Sequence, residues 1–204
     1  MHRKKAYLSC LAVFFFCIVA CSMTKTTVTD IWQDDTYSGR KLTNILVIGA
    51  AERQVLRKAF EDEMVKILKD QGNKITPSYH VLPFDKMLDE EAILAKVKEL
   101  QIDAVLITRI LSKAYGDLSS PEESKDWHNF YARSYGGYEA GSSSSVYGPK
   151  TVRATLQTNL YETKNEKLIW SASQDVITKT EPEKALRSVI KVILQELDKT
   201  NLIK

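Results

Sequence analysis

Two kinds of hydrophobic pattern divide this chain. Asn44-Ile45-Leu46-Val47-Ile48-Gly49 and Ala104–Leu111 are near-continuous apolar runs, the pattern of strands buried on both faces. Ile75–Leu82 predicts a further strand, which Pro77 places at a sheet edge and Pro83 breaks. Between them the period is helical. Glu52–Gln71 carries Leu56, Phe60, Met64, Ile67 and Leu68 on one face, with Glu61, Asp62 and Glu63 largely off it, and Gly72 ends it. Asp89 predicts the N-cap of a second helix running through Ile93 and Val97 to Leu100, with Leu88 and Ile93 at hydrophobic-staple spacing. Alternating strands and helices with short links predict right-handed βαβ units and a parallel portion of sheet.

After residue 150 the period becomes two. Val152, Ala154, Leu156, Thr158 and Leu160 alternate with Arg153, Thr155, Gln157, Asn159 and Tyr161. Leu168, Trp170 and Ala172 alternate with Ile169, Ser171 and Ser173, and the polar turn Glu162–Lys167 joins the two as an antiparallel hairpin. Thr180-Glu181-Pro182-Glu183 is a capping box with proline in the first turn. It opens a last helix with Leu186, Val189, Ile190, Ile193 and Leu197 on one face. The predicted order is β-α-β-α-β-β-β-α: an α/β fold, more narrowly α+β, with one mixed sheet and helices packed on it.

The N-terminus follows neither period. His2-Arg3-Lys4-Lys5 precedes an apolar run from Ala6 to Ala20 centred on Phe14-Phe15-Phe16, which describes a secretory signal peptide over residues 1–20. The run stops short of the roughly 20 apolar residues a membrane-spanning helix needs. Residues 22–30 are polar and aperiodic and predict a flexible tether. Ile31–Arg40, with Trp32, is a short edge element or a lead-in whose tryptophan packs on the domain. Residues 31–204 then make a single domain. Three of the 29 basic residues lie in the leader, and the remaining 26 equal the 26 acidic ones. A neutral mature chain gives nucleic-acid binding no footing. Cys10 and Cys17 leave with the leader, so only Cys21 remains, and the domain must rest on its core rather than a disulfide.

Ile18-Val19-Ala20-Cys21 resembles the bacterial lipobox. That resemblance implies cleavage between Ala20 and Cys21 and acylation of Cys21, so that the protein is attached to a membrane through acyl chains without crossing it. Ser22, where an aspartate would imply retention at the inner membrane, implies the periplasmic face of the outer membrane.

Ala114–Lys150 is too long for a plain connection. It is rich in glycine and serine and contains Trp127, Phe130, Tyr131, Tyr135 and Tyr138. It reads first as a flexible surface insert and next as a binding face, since aromatics among serine and glycine suit adaptable contacts with an envelope protein or glycan.

The search for chemistry yields little. His80, read as a strand histidine, and His128, read as a loop residue, lack ligand spacing, which argues against a metal site. Val47-Ile48-Gly49-Ala50-Ala51-Glu52 joins a strand to a helix as a phosphate-binding turn does, but lacks the spaced glycines and the Lys-Ser/Thr of such turns. Asp34-Asp35 and Glu61-Asp62-Glu63 read as solvated acidic surface. No catalytic residue and no cofactor are expected.

A broader resemblance rests on Trp32, Asp35-x-Tyr37-x-Gly39, the Ile-Leu-Val-Ile-Gly strand, Arg57-x-x-Phe60-Glu61, Leu68-x-x-x-Gly72 and the hairpin Leu160-Tyr161…Lys167-Leu168-Ile169-Trp170-Ser171-Ala172. These are similar to small uncharacterised bacterial lipoproteins. The order of elements is also similar to the N-terminal domain of the Tol–Pal translocation protein, the curli-secretion lipoprotein and the lipoprotein activators of penicillin-binding proteins. The resemblance implies a non-enzymatic envelope accessory or assembly factor, with the insert or a sheet edge as its contact surface. The alternatives are a subunit of an oligomeric secretion pore and a cell-wall enzyme without a recognisable motif.

Overall fold

The structure, a computed structural model, describes residues 24–51, 53–83, 90–112, 152–178 and 182–203. Over these the chain forms one six-stranded mixed sheet and three helices, the expected class. The strands are β1 (Thr24–Gln33), β2 (Asn44–Ala50), β3 (Lys74–Pro77), β4 (Ala104–Ser112), β5 (Val152–Glu162) and β6 (Lys167–Thr178). The helices are α1 (Gln54–Asp70), α2 (Glu90–Glu99) and α3 (Pro182–Asp198). In space the strands run β1-β6-β5-β4-β2-β3. β2 pairs in parallel with both β3 and β4, as the alternation of strands and helices predicts, and the remaining pairs are antiparallel.

Each face has its own apolar cluster. On one, Ile45 and Val47 of β2, Leu106 of β4, Leu156 and Leu160 of β5 and Trp170 of β6 pack against Phe60, Met64 and Leu68 of α1 and Val189, Ile190, Ile193 and Leu197 of α3. These are the helix positions the 3.6-residue period selects. On the other, Leu46, Ile48, Val105 and Ile107 meet Val97 of α2 and Leu82. α1 ends as expected at Gly72, whose φ of 85° suits glycine. The Gly72 N–H donates to Lys69 O at 2.9 Å and the Asn73 N–H to Leu68 O at 3.4 Å, closing a Schellman motif.

Three expectations are corrected. Residues 22–30, read as a tether, are β-structure from Thr24 onward. β1 runs antiparallel to β6 from Thr24 opposite Thr178 to Gln33 opposite Trp170, with one bulge between Val28 and Asp30. Its threonines, Val28, Ile31 and Trp32 favour strands, and it looks polar because most of an edge strand is exposed. The strand expected over 75–82 stops at Pro77, at the sheet edge as Pro77 implied, and Ser78–His80 form a 3₁₀ turn. His80 is therefore an exposed turn residue, not a strand histidine. The alternation of 168, 170 and 172 is broken by a bulge: Leu160 faces Trp170 but Tyr161 faces Leu168. Leu168 consequently joins the α2-side cluster, and Trp170 and Ala172 the other. Leu88, Asp89, Thr180 and Glu181, which carry the expected caps, lie outside the described residues.

Candidate functional site

The carboxyl ends of parallel strands are the usual place for a ligand in an open α/β sheet. Here that place at the end of β2 is filled by the protein itself. Arg57 and Glu61, one helical turn apart on α1, are 1% and 0% exposed, and Ser78 is fully buried. Glu61 Oε1 accepts from the Gly49 N–H at 3.0 Å, Arg57 Nε at 3.0 Å and Ser78 Oγ at 2.6 Å. Glu61 Oε2 accepts from the Tyr79 N–H at 3.0 Å. Arg57 Nη2 donates to Ser78 Oγ at 2.6 Å and to Leu82 O at 3.4 Å. The backbone amide that a phosphate-binding turn would offer at Gly49 is thus taken by an internal carboxylate. This cluster ties α1 to β2 and to the 3₁₀ turn, which makes it a structural staple. The reading of Glu61 as solvated surface is corrected: four donors, Arg57 Nε among them, satisfy a buried charge.

A buried layer of polar side chains lies on the other half of the sheet. On the face shared with α2, the cluster of Ile107 and Tyr161 gives way across β4, β5, β6 and β1 to rows of polar side chains. One row is Asn159 and Ser171, ended on β1 by the apolar Trp32; the next is Arg109, Gln157, Ser173 and Asp30. Ser171 Oγ donates to Asn159 Oδ1 at 2.7 Å, Asn159 Nδ2 to Tyr161 Oη at 2.8 Å, and Gln157 Nε2 to Ser171 Oγ at 3.4 Å. Gln157, 3% exposed, keeps a buried Oε1 with no hydrogen-bond donor among the described residues. These amides and hydroxyls are buried and bond one another, and no general acid, base or nucleophile is lined up among them.

β1 completes this half. It has a strand neighbour on one side only among the described residues. Ile31 and Trp32 are 45% and 39% exposed, so Trp32 is not the packing plug expected of it. Asp34 closes the strand. Its Oδ2 lies 2.5 Å from Lys167 Nζ, and its Oδ1 accepts from Thr36 N–H and Oγ1 at 2.9 and 2.6 Å. The Lys167 ammonium first, then the Thr36 donors, hold the Asp34 carboxyl down at about 2. Asp34 is buried and Asp35 exposed, so the two are not the solvated pair expected.

The residues singled out as sites lie outside the described residues: Ala20 and Cys21, the aromatics Trp127, Phe130, Tyr131, Tyr135 and Tyr138, and His128. Sequence reasoning missed Arg57, Ser78, Gln157 and Asn159. Only the first carries a signal, an arginine four residues before a glutamate on an otherwise apolar helix face. Among the described residues, no group of three or more His, Cys, Asp or Glu side chains could hold a metal, and no helix is long and apolar enough to cross a membrane.

No family model matches the chain, and no curated protein matches it. Among solved structures it is similar to the PelC dodecamer from Paraburkholderia phytofirmans in two crystal forms, one of them a point variant. Each is 11% identical with a TM-score of 0.42; the alignments cover 89% and 84% of this chain and 98% and 95% of those chains. It is also similar to the lipoprotein GNA1162 from Neisseria meningitidis, at 12% identity and a TM-score of 0.43, over 77% of this chain and 99% of that one.

Proposed function

We propose that this is a lipid-anchored protein of the cell envelope that acts by binding, as an accessory or assembly factor at the periplasmic face of the outer membrane. The observation that carries the reading is the sequence Ile18-Val19-Ala20-Cys21 at the end of an apolar leader with a basic start. Position of the first strand supports it. β1 begins at Thr24, so only Ser22 and Met23 separate it from Cys21. At roughly 3.3–3.6 Å per extended residue, acyl chains on Cys21 would hold the start of β1 within about 10 Å of the lipid headgroups. The exposed edge of β1 then lies where a neighbouring envelope component can reach it, and the aromatic insert, with Trp127, Phe130, Tyr131, Tyr135 and Tyr138, is the second contact surface. The partner is a protein or glycan of the envelope.

The test is intact mass and membrane fractionation of wild type beside Cys21→Ala, followed by crosslinking of the membrane-bound form. Wild type should carry the acyl mass and sediment with the outer membrane, whereas Cys21→Ala should keep its leader. If both are processed alike and released soluble, the anchor is wrong. If deletion of residues 116–148 leaves every crosslinked neighbour in place, the insert is not the contact.

A further inference from the structure

We propose that β1 is a self-pairing edge: β1 of one copy pairs antiparallel with β1 of a second copy, about a two-fold axis between Val28 and Thr29. The inference does not rest on the lipid anchor. It starts from the shape of the sheet. The opposite edge, β3, has four residues and ends at Pro77. β1 has ten, contains neither proline nor glycine, and carries the exposed Ile31 and Trp32. An exposed edge of this length is a template for another strand.

The register with β6 sorts its side chains by face. Thr26, Val28 and Ile31 lie opposite Val176, Gln174 and Ala172, on the side of α3, where Thr26 Oγ1 and Ser188 Oγ are 2.8 Å apart. Lys25, Thr27, Asp30 and Trp32 lie opposite Ile177, Asp175, Ser173 and Ser171, on the other side. The extra residue at Thr29 puts the two flanks of β1 out of step by one. Directly opposed residues of an antiparallel pair point to the same face. Two identical bulged strands can therefore match on both flanks when their bulges meet.

Centring the axis between Val28 and Thr29 does this over the greatest length. Thr27 then faces the partner's Asp30, Thr26 faces the partner's Ile31, and Lys25 faces the partner's Trp32, every pair on a common face. Both exposed apolar side chains gain a cross-strand neighbour. Each Lys25 ammonium meets the face of an indole, with the partner's Asp30 two positions along on the same face. No like charges are opposed. Lys25 and the bulge are the devices that normally keep an edge from pairing; here each complements its own copy, as an isologous two-fold contact requires.

The experiment uses the full chain in the cell fraction where it is found, with two differently tagged copies co-expressed, one carrying Thr27→Cys and the other Asp30→Cys. Oxidation should give a mixed disulfide dimer and no dimer of either variant with itself. Separately, co-capture of the two tags without cysteine substitutions should fall about tenfold with Lys25→Glu, which sets a carboxylate beside the partner's Asp30, and should return with Lys25→Glu/Asp30→Lys, which swaps the charges on both copies. Absence of the mixed disulfide in variants that resist trypsin as wild type does overturns the proposal. Should a cysteine variant lose that resistance, the charge swap decides: unchanged co-capture with Lys25→Glu, or no rescue by the swap, also overturns it.

Discussion

Glu61 can be tested against Arg57, because the structure gives the two members of this ion pair unequal support. Glu61→Ala removes an acceptor that takes hydrogen bonds from the Gly49 and Tyr79 amides, Arg57 Nε and Ser78 Oγ, and it leaves the Arg57 guanidinium 99% buried without its carboxylate. Breaking a buried pair in this way costs about 3–5 kcal/mol. That is a large part of the ~5–15 kcal/mol that holds a domain together. With a urea m-value of about 2 kcal/mol/M, the unfolding midpoint should fall by roughly 2 M. Arg57→Met should cost less, by about 1–2 kcal/mol, because Glu61 keeps three donors: two backbone amides and the Ser78 hydroxyl. In the double variant no lone charge remains, so the two losses should fall short of additivity by at least ~1 kcal/mol. The measurement is urea unfolding followed by tryptophan fluorescence and circular dichroism on all four proteins. A cost below ~1 kcal/mol for Glu61→Ala, a larger cost for Arg57→Met, or strict additivity would refute the account of a satisfied, anion-centred staple.

Other consequences are independent of that pair. A Cβ at Gly49 would lie 2.9 Å from Phe60 Cδ1, so Gly49→Ala should push α1 from the end of β2 and cost about 1–3 kcal/mol in the same unfolding assay; a neutral result would mean that α1 does not approach so closely. Gln174 is fully buried on the α3 side of β6, and neither polar atom of its amide has a hydrogen-bond partner among the described residues, so Gln174→Met should raise stability by about 1–2 kcal/mol, and a loss instead would reveal a partner for the amide. Asp34 is depressed from 3.8 to about 2, so its contribution is present above pH ~4 and lost as pH falls from ~4 to ~2; a carboxyl NMR titration should find the low value in wild type and a higher one in Lys167→Met, where the Thr36 donors remain, and identical titrations would remove the Lys167 ammonium as the main cause.

Which parts of this architecture were legible in the chain depends on what surrounds each strand. β2 and the first half of β4 are covered by apolar packing on both faces, so each reads as a near-continuous apolar run and the run reveals them. α1 and α3 each bury one face, and the 3.6-residue period picks it out. β1 escapes because hydrophobicity marks burial, and an edge strand with most of its residues exposed has little to bury; its threonines and aromatic were the remaining signal. Glu61 was misplaced for the converse reason. A helical wheel assigns charge to solvent, and nothing local shows that Gly49, Ser78 and Tyr79, which lie 12 to 18 residues away along the chain, converge on one carboxylate. The hairpin shows the same limit. Period two identifies both faces of β5, but one face leads to helices and apolar packing, whereas the other runs through Gln157 and Asn159, which are as buried as the leucines opposite.

That difference between the halves of the sheet bears on how the molecule can work. The β2–β3–β4 side is closed: its strand ends are stitched by Glu61 and by Asp103, which accepts from the Thr43 and Asn44 amides at 3.2 and 3.1 Å. Opening it for a ligand would break charge-centred networks that hold several elements at once. The β5–β6–β1 side ends instead in a strand anchored on one flank, with hydroxyls and amides on one face and two exposed apolar side chains at its far end. Contact there needs no rearrangement of either core, since β6 already fixes the twist and register that an added strand would follow. A substitution at Lys25 or Trp32 should therefore change association while leaving the free energy of unfolding within about 0.5 kcal/mol of wild type, whereas one at Glu61 should do the reverse. Finding both kinds of variant equally destabilised would mean that β1 belongs to the core and not to a contact surface.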